Sequence, residues 1–186
     1  MTSPSVTTPV DTSRVRRLFS FPDPVNEVSA RLVAGGVVVM AIALLVTGWH
    51  WIVLVLAYGF VARVLTGPTL SPLGQLVTLV ITPALPVEPK YVPGPPKRFA
   101  QGIGATLTVS AAILTYAFDA FGAAEVLVAM VLLAATLESV FAYCLGCKIF
   151  NLLMRIGVVP ASVCERCNDI WSDPPGTSIP THTRGT

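Results

Sequence analysis

LVAGGVVVMAIALLVTGWHWIVLVLAYGFVA, residues 32–62, decides the fold. Thirty-one residues pass without a charge. About 20 apolar residues suffice for a helix to cross a bilayer, and one tilted helix does not normally absorb so long a run. The middle reads TGWHW, Thr47 to Trp51. Gly48 favours a break, and Trp and His suit the membrane–water boundary. The run therefore reads as two short antiparallel spans, about 29–47 and 50–66, with a tight turn between them. Two further charge-poor stretches follow. Phe99 to Phe118 has no charge, and Val126 to Cys147 has only Glu138. They place spans at about 99–118 and 124–150.

The whole composition agrees. The chain is 53% hydrophobic and 12% charged over 186 residues, where a soluble domain carries about a quarter charged residues. Its mean hydropathy is +0.72. The expected fold is all-α: a polytopic membrane protein with a four-helix transmembrane bundle over residues 21–150, a short interfacial helix, and a Cys-rich cytoplasmic cap over 151–171. Residues 1–20 and 172–186 are Ser/Thr/Pro-rich at their ends and read as disordered tails. The Arg16-Arg17 pair does not begin a twin-arginine leader, because FPDPVNEVSAR separates it from the apolar run.

Orientation follows from Lys and Arg, which collect on the cytoplasmic side. Arg14, Arg16, Arg17 and Arg31 precede or open span one. Arg63, Lys90, Lys97 and Arg98 lie between spans two and three. Lys148, Arg155, Arg166 and Arg184 lie in the last segment. The turn at Gly48 and the loop from Asp119 to Glu125 have none. Both termini and the middle loop are expected in the cytoplasm, and the chain in the inner (plasma) membrane as a multi-pass protein.

The middle loop, GPTLSPLGQLVTLVITPALPVEPKYVPGPPKR (residues 67–98), carries Leu73, Leu76, Val77, Val80 and Ile81 on one helical face. A helix of about 72–82 is too short to span. It reads as interfacial or re-entrant, or as a helix packed under the bundle. Six prolines from Pro83 to Pro96 then make a stiff strap, with Lys97 and Arg98 as a headgroup anchor ahead of span three.

Glu138 stands alone inside a span. A carboxylate there is costly, and is paired, protonated or functional. It lies roughly 20 Å along the helix from Glu125, at 1.5 Å per residue, a depth expected for Arg31 and Arg63 too. An ion pair with Arg31 or Arg63 is the structural expectation, and a proton relay or substrate contact the functional one. Glu27 and Arg31 form an i, i+4 pair and complete a candidate intramembrane charge network of Glu138, Arg31, Arg63 and Glu27.

The cysteines number four and stand as C-x2-C-x16-C-x2-C: Cys144, Cys147, Cys164 and Cys167. This spacing falls in the range of a four-cysteine zinc site, where each Cys-x-x-Cys turn supplies two thiolates to a tetrahedron. Four cytoplasmic thiolates also suit an iron–sulfur cluster. The same residues read as two redox pairs able to exchange disulfides. Against that, the Cys144 pair reads as the end of a helix, whose dipole disfavours a thiolate, and the cytoplasm disfavours standing disulfides. No nucleotide loop, hydrolytic triad or paired carboxylate appears, and nothing points to nucleic acid. His50 and His182 fall in an outer turn and a tail.

FPDPVNEVSARLVAG, GPTLSPLGQLV, GPPKRFAQGIGA and ESVFAYCLGCKIFNLL together resemble an uncharacterised bacterial membrane family, domain of unknown function 4395. The resemblance spans roughly residues 20–170. It implies a small integral membrane protein of about four helices with no assigned reaction. It also implies a thioredoxin-like or sulfurtransferase protein as partner, which favours thiol redox or sulfur handling. The alternative is a membrane scaffold or transport component with a structural zinc.

Overall fold

The structure is a computed structural model and describes residues 23–160. Cys164, Cys167 and both expected tails lie outside the described residues. Among the described residues the fold has six helices and one two-stranded ribbon. Strand β1, Val25–Asn26, pairs antiparallel with β2, Tyr91–Val92, with Val25 opposite Val92. This ribbon ties the entry of the first helix to the proline strap.

Helix α1 is Glu27–Thr47. The Asn26 side chain accepts from the Val28 amide at 3.0 Å, which satisfies one of the donors a helix start leaves orphaned. Gly48, at φ 70°, ends the helix. Helix α2 is Ile52–Thr66 and closes on Gly67, at φ 65°. It starts two residues later than the span read from sequence, because His50 and Trp51 belong to the turn. There the amides of Ile52 and Val53 reach back three residues to Trp49 and His50, each at 3.0 Å.

Helix α3, Pro72–Ala84, starts at Ser71, whose hydroxyl accepts from the Gly74 amide at 3.2 Å. Its middle, Leu76–Ile81, is π-helical, a local form common at functional sites. Helix α4 is Gly94–Ala117, five residues longer at its start than the sequence reading. Pro95 and Pro96 are tolerated in the first turn because their missing N–H groups would have no intrahelical partner. Lys97 and Arg98 are therefore helical residues, not an anchor ahead of the helix.

Helix α5 is Phe121–Phe141 and helix α6 is Leu145–Arg155. The single span expected over 124–150 is thus two helices. Ala142 takes φ 54° and its amide bonds back to Leu137, closing α5 before the cysteines. Alanine carries no glycine-like signal for that conformation, so the break is invisible to pattern reading.

The helices α1, α4 and α5 are long and apolar enough to cross a membrane. At fifteen residues, α2 reaches about 22 Å, short of a hydrocarbon core of about 30 Å. Helix α1 packs most closely on α5, α2 on α4, and α4 also on α5, while α1 and α2 touch less than their tight connection suggests. The common core holds Val37, Ala41 and Leu44 of α1, Val53, Leu56 and Phe60 of α2, Ala111 of α4 and Val131 of α5. Phe60 lies against Gly104, where a side chain would meet its ring. Small residues admit such close approach between apolar helices. The outer surface is apolar too: Val39, Val46 and Leu133 are each more than half exposed. A surface of that kind is what lipid contact requires, and the fold has the build of a membrane protein.

Candidate functional site

The Cys144 pair sits where α5 gives way to α6. Cys144 is the N-cap of α6: its backbone is extended, and its Sγ accepts from the Cys147 amide at 3.3 Å. The two residues form a disulfide, with Cα atoms 5.2 Å apart. This reverses the placement read from sequence. The pair begins a helix, and a helix N-terminus favours negative charge. The objection raised against thiol exchange on dipole grounds falls away with the break at Ala142. Lys148, one turn on, lies over the Tyr143 ring at 5.6 Å and adds a cation near the same end.

Helix α6 turns back onto α4. Gly146 makes this possible, because a Cβ there would come within 2.6 Å of Ala100. Phe150, buried, packs on Phe99 with ring centroids 5.5 Å apart. The consequence is that Cys144 lines a cavity of about 90 Å³ that reaches into the bundle. Its walls are largely apolar, with Phe60, Leu107 and Val131 among them, and its polar lining comes from Arg63, Gln101 and Glu138.

The charges behind that cavity are arranged differently from the sequence reading. Glu138 pairs with Lys97, Nζ to Oε1 at 2.5 Å, with side chains 15% and 10% exposed. It pairs with neither Arg31 nor Arg63. The early start of α4 carries Lys97 inward, while each arginine is held elsewhere. Arg31 donates to the carbonyls of Ser139 and Val140 at 3.1 and 3.3 Å, where α5 leaves its last acceptors open. Arg63 donates from Nε to Gln101 Oε1 at 2.9 Å and from Nη1 to Ser71 Oγ at 3.3 Å. Its guanidinium also lies 4.5 Å from the centroid of the Phe60 ring. Glu27 binds Lys90 at 3.1 Å rather than Arg31, because the β1–β2 ribbon brings the strap to the start of α1.

Cys144, Glu138 and Arg63 are thus brought to one cavity, and Arg31 and Glu27 are set apart from it. Sequence reasoning missed Lys97, Gln101 and Ser71. Lys97 and Gln101 stand four apart on one helical face, a signal hidden by reading the prolines before them as strap. Among the described residues no group of three or more His, Cys, Asp or Glu gathers as a metal site. At the opposite end, His50 Nε2 stands 3.7 Å from Glu125 Oε1 and its ring lies 4.5 Å from that of Phe121. That contact staples the turn between α1 and α2 to α5.

Comparison with known proteins gives one match. The model of a family described as Domain of unknown function (DUF4395) covers residues 25–155. No curated protein and no solved structure matches the chain.

Proposed function

The chain belongs to the DUF4395 family, a description that carries no activity, and from the site we propose that it is a membrane thiol–disulfide exchange protein working through Cys144 and Cys147. The observation that carries this reading is the disulfide at the N-terminus of α6, with Cys144 at the wall of a bundle cavity. A Cys-x-x-Cys pair at a helix start, near cations, stabilises the thiolate on which exchange depends.

The exchange balances without an added oxidant. A thiolate of a dithiol protein, thioredoxin-like in chemistry, attacks one sulfur of the Cys144–Cys147 disulfide and displaces the other as a thiolate. The partner's second thiol then resolves the mixed disulfide. Two electrons and two protons pass from the partner, which leaves as a disulfide, and Cys144 and Cys147 are left as thiols. Cys164 and Cys167 form the second pair of the reading and would meet the soluble partner first. The setting proposed with it is a four-helix transmembrane bundle in the inner membrane, in which local thinning of the bilayer and the Trp49–Trp51 turn make up the short length of α2. The positive-inside distribution supports placing both termini, the strap and the cysteines in the cytoplasm. A disulfide there is expected to be transient and catalytic rather than standing.

The C-x2-C-x16-C-x2-C spacing favours a second reading, a structural zinc held by all four cysteines in their reduced state. Thiol counting over a graded redox buffer, paired with metal analysis of the purified protein, separates the two. Thiol exchange predicts two or four thiols that titrate reversibly. It also predicts that thioredoxin lacking its second, resolving cysteine accumulates a mixed disulfide with the oxidised chain. About one zinc per chain with four protected thiols would defeat it and establish the scaffold.

A further inference from the structure

A second cavity, of about 250 Å³, lies on the other side of the Arg63–Gln101 contact, beneath α3 and the ribbon. It shares Val33, Arg63 and Gln101 with the cavity at Cys144, but no cysteine among the described residues lines it. Arg63 and Lys97 both line it, and both are more than nine-tenths buried. Gln101, Ser29, Thr78, Asn26 and Tyr91 supply the rest of its polar edge.

The charge there does not balance. Glu138 neutralises Lys97 at 2.5 Å. Arg63 makes its hydrogen bonds, among the described residues, to the neutral side chains of Gln101 and Ser71. Among the described residues that line the cavity or pair with its lining, two buried cations and one carboxylate leave a formal charge of +1. Buried charges in proteins are paired or bind an ion, and a charged side chain deep in a membrane bundle marks a binding or transport path by default. Arginine presents five N–H donors in a planar fork that matches an oxyanion, and its two bonds here leave part of that fork uncommitted. The space is larger than the roughly 150 Å³ that holds a benzene ring.

From this we propose that the cavity between α1, α2, α3 and α4 binds a small oxyanion, a carboxylate, phosphate or sulfate group, held by Arg63 and Lys97 with the Gln101 amide and the Ser29 hydroxyl around it. The oxyanion neutralises the excess charge and enters from the end of the bundle closed by α3 and the β1–β2 ribbon. Two sources share this chemistry: a soluble anion, and the phosphate of an anionic lipid.

The test uses the full chain in nanodiscs of phosphatidylcholine, with and without phosphatidylglycerol. Thermal unfolding is followed while inorganic phosphate, sulfate or succinate replaces chloride at constant ionic strength. A saturable rise in Tm with one of these in pure phosphatidylcholine identifies a soluble oxyanion. A rise given by phosphatidylglycerol alone identifies the headgroup phosphate. Either supports the site if Arg63→Lys, which keeps the charge and loses the fork, and Thr78→Leu, which fills the cavity and keeps every charge, each weaken the midpoint at least about tenfold. Thr78→Leu keeps the test decisive if the arginine variant fails to fold. The site is refuted if no oxyanion and no anionic lipid raises Tm, or if both variants keep the full response.

Discussion

The Lys97–Glu138 pair permits a prediction with an asymmetry that only this charge arrangement produces. At 2.5 Å, the gross attraction is about 7 kcal/mol at an effective dielectric of about 20. Desolvation of two ions, at several kcal/mol each, offsets most of it. The net worth of the pair over two apolar side chains is therefore near zero, whereas a single removal strands a buried charge at about 3–5 kcal/mol. The two removals differ. Lys97→Met leaves Glu138 beside Arg63, one cation and one anion lining the same cavity. Glu138→Leu leaves Lys97 and Arg63 as two buried cations with no anion. We expect Lys97→Met to cost about 2–3 kcal/mol, Glu138→Leu about 4–5, and the double variant less than either, about 0–2. Reversible unfolding in mixed micelles, read as a double-mutant cycle, gives all four corners. A lysine variant that costs as much as the glutamate variant, or a double variant that costs their sum, would refute the reasoning.

Three further outcomes follow from the same contacts. Gly146→Val must push α6 from α4, since a Cβ already meets Ala100 at 2.6 Å; a loss of about 1–3 kcal/mol and faster maleimide labelling of reduced Cys144 are expected in a stopped labelling assay. Arg31→Ala removes the donor that covers the Ser139 and Val140 carbonyls, and should lower stability by about 1–2 kcal/mol, with hydrogen exchange rising at the end of α5 and not in α2. Cys164 should resist an impermeant thiol reagent in whole cells and react after lysis; labelling in intact cells would invert the proposed orientation.

The helical, membrane-type character of this chain is a property of local composition, and so it was legible without coordinates. Charge-free stretches of span length, the glycine at the TGWHW turn and the one-sided distribution of Lys and Arg are all read along the chain. The family was legible for the same reason, in short contiguous motifs. The site was less so. The cysteines and Glu138 stood out as candidates by their rarity in such surroundings. What they touch could not. The partner of Glu138 lies 41 residues away, on a helix whose start two prolines disguised. The end of α5 rests on an alanine at φ 54°, a conformation its side chain does not advertise. That single backbone angle decided whether Cys144 closed one helix or opened another, and with it the sign of the dipole at the sulfur. Hydropathy and charge balance are sums over neighbours in sequence. The ion pair, the two cavities and the helix break depend on neighbours in space, and only the packed chain sets those.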